Sequence, residues 1–76
     1  MTLDQFISDF SKEFNETSEL NFNASTCFKE LDEWDSVLAL SIIAMIDENY
    51  EKRISGSELR NCKTIQELFQ VVKNIK

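Results

Sequence analysis

Proline and histidine are both absent from this 76-residue chain, and Gly56 is its only glycine. With so few chain breakers, the sequence reads as helices joined by polar turns. The lack of histidine removes the usual general base and a common zinc ligand, so neither a Ser-His-Asp nor a Cys-His arrangement can be built. No glycine-rich phosphate loop occurs. Asp32, Glu33 and Asp35 lie close together but lack the glycine and distant glutamate of a calcium loop. Carboxylates are numerous, yet so small a chain has little room for a deep pocket around them. An enzyme is therefore not expected. Long hydrophobic runs are also missing, which argues against a membrane span. The N-terminus has neither a basic region nor a continuous apolar core, so no signal peptide is expected and the location predicted is cytoplasmic. Cys27 and Cys62 are accordingly read as reduced, packed thiols.

Charge is abundant but uneven. Residues 1–35 carry nine acids against Lys12 and Lys29, and residues 36–76 carry five acids against six bases, for a net charge of −6. Such a surface disfavours nucleic acid and anionic membranes and favours partners with basic surfaces. The acids Glu30, Asp32, Glu33 and Asp35 are grouped immediately before the longest apolar stretch. Hydrophobic residues make up 42% of the chain, enough for a folded core. A single domain over residues 1–76 is expected, marginally stable because of its size.

Helical periodicity organises that core. Thr2 and Gln5 have the spacing of a capping box, and Leu3, Phe6, Ile7, Phe10 and Phe14 follow as one helical stripe. Residues 15–35 read as a long loop, to be pinned by Leu20, Phe22, Phe28, Leu31 and Trp34. A second helix is predicted from Ser36 to Tyr50, with Ala39, Ile42, Ile43, Ile46 and Tyr50 as its core face. A short helix is predicted near Ser57–Asn61, after Ile54. Thr64 and Glu67 open a last helix whose stripe is Ile65, Leu68, Phe69, Val72 and Ile75. The fold class expected is all-α: a small four-helix bundle with three main helices and a short third one.

The second helix has more apolar surface than a core face needs. Nine of the ten residues from Val37 to Ile46 are apolar. Once the core stripe is assigned, Val37, Leu38, Leu40, Ala44 and Met45 are left over. Ser36, Leu40, Ala44 and Asp47 fall along one side of the helix. An apolar strip beside a serine at a helix start reads as a docking face. Val37, Leu40 and Ala44 are its favoured members, with Leu38 and Met45 weaker ones. Asp47 and Glu48 close it with negative charge.

The segment Trp34-Asp35-Ser36-Val37 places a short oxygen side chain at this helix start, a capping position in itself. Together with Phe28-Lys-Glu-Leu31 before it and Leu38-Ala-Leu40 after it, the segment resembles the signature of acyl carrier proteins. The resemblance extends over nearly the whole chain: first helix, long loop, second helix, Ile54 before a short third helix, and Thr64-Ile-Gln-Glu-Leu68 opening the last. It implies an acyl-carrier-like bundle and a covalent 4′-phosphopantetheine arm. Ser36 would be esterified with that arm from coenzyme A by a separate phosphopantetheinyl transferase, and Asp35 would support recognition by that enzyme. The arm would carry acyl or aminoacyl groups as thioesters to partner enzymes of lipid or specialised biosynthesis. The residues Val37, Leu40, Ala44, Asp47 and Glu48 would meet those partners. A monomer is expected, without membrane insertion or nucleic acid.

Three departures qualify the resemblance. Val37 stands where the family has Leu or Met. No glycine precedes the motif, as one does in fatty-acid carriers. Leu38 and Ser41 occupy positions that often hold carboxylates. A Trp-Asp-Ser start is more similar to stand-alone carriers of polysaccharide, peptide or polyketide assembly. The frequent Lys, Asn, Glu and Ile fit an AT-rich bacterial genome. The competing reading is a helical interaction module with no prosthetic group, in which Ser36 is only a helix cap.

Overall fold

The computed structural model describes residues 1–75, with Glu19 described by its backbone alone. Four α-helices form the fold: α1 Leu3–Ser11, α2 Ser36–Tyr50, α3 Gly56–Asn61 and α4 Ile65–Asn74. Two short 3₁₀ turns, Glu19–Asn21 and Phe28–Glu30, interrupt the long connection between α1 and α2. No strand occurs among the described residues, so the all-α bundle expected from periodicity is the fold found. No helix among them is long and apolar enough to cross a membrane. α2 packs against both α1 and α3, and α1 also packs against α4.

Local chemistry accounts for the helix starts. Thr2 Oγ1 accepts from Gln5 N at 3.1 Å, while the Gln5 side chain turns away to Asp9 rather than completing a capping box. Thr64 Oγ1 accepts from Glu67 N at 3.2 Å, and Glu67 reaches back to Lys63 N, one residue before the cap. The complete capping box belongs to α3, between Ser55 and Glu58, with bonds of 3.0 and 2.9 Å. Each bond satisfies a donor that the first helical turn leaves unpaired. α1 ends at Ser11, so Phe14 lies beyond the helix in the turn that follows. It stays buried because that turn keeps it on the core side. α2 is closed by the residue after it, Glu51, whose φ of 55° is the left-handed value usually met by glycine.

The long connection is held down by aromatic packing. Phe28 lies between Phe10 and Trp34, with ring centroids 5.2 and 5.0 Å away. Phe14 and Phe22 pack at 4.9 Å. Backbone bonds add to this, since Ile65 N and Gln66 N, at the start of α4, donate to Thr26 O and Ala24 O at 3.2 and 3.0 Å. The resulting radius of gyration, 11.1 Å, is that of a compact chain of this length. Leu20 does not serve as an anchor: it is 94% exposed, because the turn Glu19–Asn21 carries it out to solvent while Phe22 turns in. Leu31 and Trp34 are half-buried against the core.

The buried face of α2 is rotated from the one periodicity predicted. Its centre is Leu38, Ile42, Met45 and Ile46. Ala39, Ile43 and Tyr50 pack at its edge and are only half-buried. Leu38 and Met45 are therefore core residues, at 8% and 5% exposure, and not part of a docking face. The reason is the two-sided packing against α1 and α3, which takes up a wider sector of the helix than one stripe. Of the two thiols expected to be packed, only Cys62 is. Cys62 is buried and donates to Glu58 O at 3.3 Å, whereas Cys27 is exposed. Both are free thiols, and both are pushed above the ordinary thiol range, Cys62 by burial and Cys27 first by its hydrogen bond with Glu30. Neither has the lowered pKa of a reactive cysteine.

Candidate functional site

Ser36 is exposed at the first position of α2. The helix cap is its neighbour. Asp35 has extended backbone angles, φ −152° and ψ −177°, and its Oδ1 accepts from Leu38 N at 2.8 Å. A capping role for Ser36 is thus corrected: two adjacent residues offer an oxygen, and the one with non-helical angles takes the bond. Among the described residues the Ser36 hydroxyl makes no hydrogen bond. It is left exposed on a helix end that its neighbour stabilises.

The chain leading to Ser36 is fixed from behind by Glu33. Its carboxylate accepts from Asn15 N, Glu16 N and Thr17 N at 2.6, 3.0 and 2.9 Å, and from Thr17 Oγ1 at 3.1 Å. The two ends of the long connection are joined through this one side chain. Desolvation pushes the Glu33 carboxyl up, but the four donors outweigh it and hold the group below its ordinary value. A lowered folded-state pKa contributes stability above the unfolded value, near 4.3, that is lost as pH falls through the folded one. Glu33→Gln is expected to melt at a lower temperature than the native chain at pH 7, with the gap closing as pH drops below about 4. Melting curves across that range check this. An equal gap at all pH values would mean that the charge of Glu33 does not hold the loop.

Glu33 and Asp35 are therefore structural members of the acidic cluster. Glu30, Asp32 and Asp35 are exposed, and Glu33 is half-buried.

Beside Ser36 lies an open groove of about 450 Å³ between α2 and α3. Trp34, Ala39, Leu40, Ile43 and Leu59 supply its apolar walls, and Ser36 and Asp35 are among its lining residues. Lys29 and Arg60 also line it and bring two positive charges to the groove. Lys29 Nζ donates to the backbone carbonyl of Arg60, tying the long connection to α3. The Arg60 guanidinium lies back over Gly56, where an added Cβ would sit 3.4 Å from Nη1. Sequence reasoning missed both cations. They are separated by 31 residues, and no local pattern joins them. A larger, more open concavity of about 670 Å³ lies between α3 and α4, lined by Glu58, Cys62 and Glu67 among others. Both of its carboxylates are committed to helix caps, and Ser36 is not among its lining residues.

Outside the groove, α2 presents the rest of the sequence-derived site to solvent. Val37 and Leu40 are 69% and 67% exposed, and Ala44, Asp47 and Glu48 are exposed as well. Leu40 belongs both to this strip and to the groove wall. The first turn of α2 contains no acid, so the negative charge of the strip sits at its far end.

The Ser36 hydroxyl is accessible, and Ser36 shares its groove with apolar side chains and two cations. Comparison with protein-family models, with curated proteins and with solved structures finds no match to this chain.

Proposed function

We propose that this chain is a carrier protein whose Ser36 bears 4′-phosphopantetheine. The observation that supports it most is the combination at the start of α2. Ser36 is exposed, released from capping by Asp35, and among the residues that line an apolar groove. The resemblance of residues 28–40 to the acyl carrier signature names the group that such a serine would receive. When bound, the arm supplies a thiol that holds acyl or aminoacyl groups as thioesters.

The chain's own residues bind and present; they do not perform chemistry. Asp35 organises the helix start and is engaged with Leu38 N, which leaves it poorly placed to take the Ser36 proton. With no histidine in the chain, that proton must leave to a base on the transferase. Trp34, Leu40 and Leu59 give the arm an apolar surface that limits its contact with water. Loading from coenzyme A fits a cytoplasmic location. Intact mass after incubation with coenzyme A and a broad-specificity transferase tests the assignment.

Val37, Leu40 and Ala44 with Asp47 and Glu48 form the docking strip for partner enzymes. An exposed apolar strip ending in negative charge suits a partner surface with an apolar centre and basic rim. Leu40→Glu is expected to slow loading at least tenfold, equivalent to about 1.4 kcal/mol, while the helical circular dichroism is retained. Loss of the helical signal would instead make Leu40 a core residue. The same strip also favours a module that binds proteins without any arm, and that reading predicts no gain of mass.

A further inference from the structure

Lys29 and Arg60 have no place in the docking strip and none in the core. Neither forms an ion pair among the described residues. Each nevertheless holds a defined position. Lys29 is half-buried and tethered to the Arg60 carbonyl, and the Arg60 side chain is folded over Gly56. Both line the groove that Ser36 opens onto. The one carboxylate lining that groove is Asp35, which is already bonded to Leu38 N. Two cations and one engaged carboxylate among the lining residues give the groove a net positive charge in an otherwise acidic molecule. Cations solvated on a surface need no shared groove and no tether.

We propose that Lys29 and Arg60 form the receiving site for the phosphate ester carried by Ser36, and so direct the arm into the groove instead of out to solvent. The inference rests on the carrier reading and adds a binding site to it. Guanidinium and ammonium groups are the natural partners of a phosphate oxygen, and their attraction is strengthened beside low-dielectric walls. The acids before Ser36 would otherwise repel the same phosphate. The pair thus resolves an electrostatic conflict between a basic-partner surface and an anionic arm.

The test starts from loaded protein, with loading verified by intact mass for the native chain, Arg60→Gln, Arg60→Lys and the Lys29→Gln/Arg60→Gln double variant. The ³¹P spectrum and the melting temperatures of loaded and unloaded forms are then compared. In the native chain the phosphorus resonance is expected to be shifted and broadened relative to the double variant. Loading is expected to raise the native Tm and to leave that of the double variant unchanged. Raising salt from about 0.1 M to about 1 M should move the native resonance toward that of the double variant, because screening shortens the reach of the two charges. Arg60→Gln alone, which keeps the Lys29 tether to the backbone, should lose part of the effect, and Arg60→Lys should recover it. Identical spectra and identical loading shifts in native and double-variant proteins would overturn the inference and leave the carrier reading standing. A native chain that gains no mass would overturn both.

Discussion

Ser36→Ala is expected to gain no mass from coenzyme A and transferase under conditions where the native chain gains one phosphopantetheine. The prediction is sharp because the helix cap is Asp35 and not Ser36. Removal of a capping oxygen costs about 0.5–2 kcal/mol, which in so small a domain would blur loss of loading with loss of structure. At an exposed first helical position the change should stay within about 0.5 kcal/mol, and the Tm within roughly 4 °C of native. Asp35→Ala is the control that does lose the cap, and it should be the less stable of the two. Intact mass and a thermal melt of each variant separate the effects. A Ser36→Ala chain that still takes up the arm would place attachment elsewhere. A folded native chain that takes up nothing would leave α2 with only its exposed strip, and protein binding without an arm would become the better account.

Phe28→Ala should disrupt both the fold and the surroundings of Ser36. Phe28 is fully buried, and its ring joins Phe10 on α1 to Trp34 just before Ser36. Truncating such a phenylalanine costs about 3–5 kcal/mol. A chain of this length has a total stability of only about 4–11 kcal/mol. Roughly half the stability should therefore disappear, seen as a large fall in the denaturation midpoint. Trp34 is the only tryptophan, so its fluorescence reports the site directly. Emission should move to the red as Trp34 loses the packing that seats it in the groove wall. Leu20→Ala is the contrasting change. Its side chain is almost wholly in water, and its removal should alter stability by no more than about 0.5 kcal/mol. Equal losses in the two variants would mean that the aromatic series does not hold the long connection.

The four helices are legible in the sequence because their causes are local. Thr2 and Thr64 cap through bonds to residues three positions on, and the stripes of α1 and α4 repeat every three or four residues. The bounds of α2, Ser36 to Tyr50, are equally legible from the change in composition at each end. The exposure of Val37, Leu40, Ala44, Asp47 and Glu48 also agrees with the sequence pattern. Three features do not follow from local pattern. Which face of α2 is buried cannot be derived from periodicity, because nearly every residue from Val37 to Ile46 is apolar and such a run has no polar face to orient it. Whether Asp35 or Ser36 caps the helix depends on where the backbone leaves the extended region, and both side chains can accept the bond. The meeting of Lys29 with Arg60 in the groove lining depends on a long connection folding down onto α3. Short-range hydrogen bonds and spacing set the helices, whereas the groove and its charge arise only when segments distant in sequence pack together. Ser36 can be singled out from its neighbours alone, but its surroundings are a product of the tertiary fold.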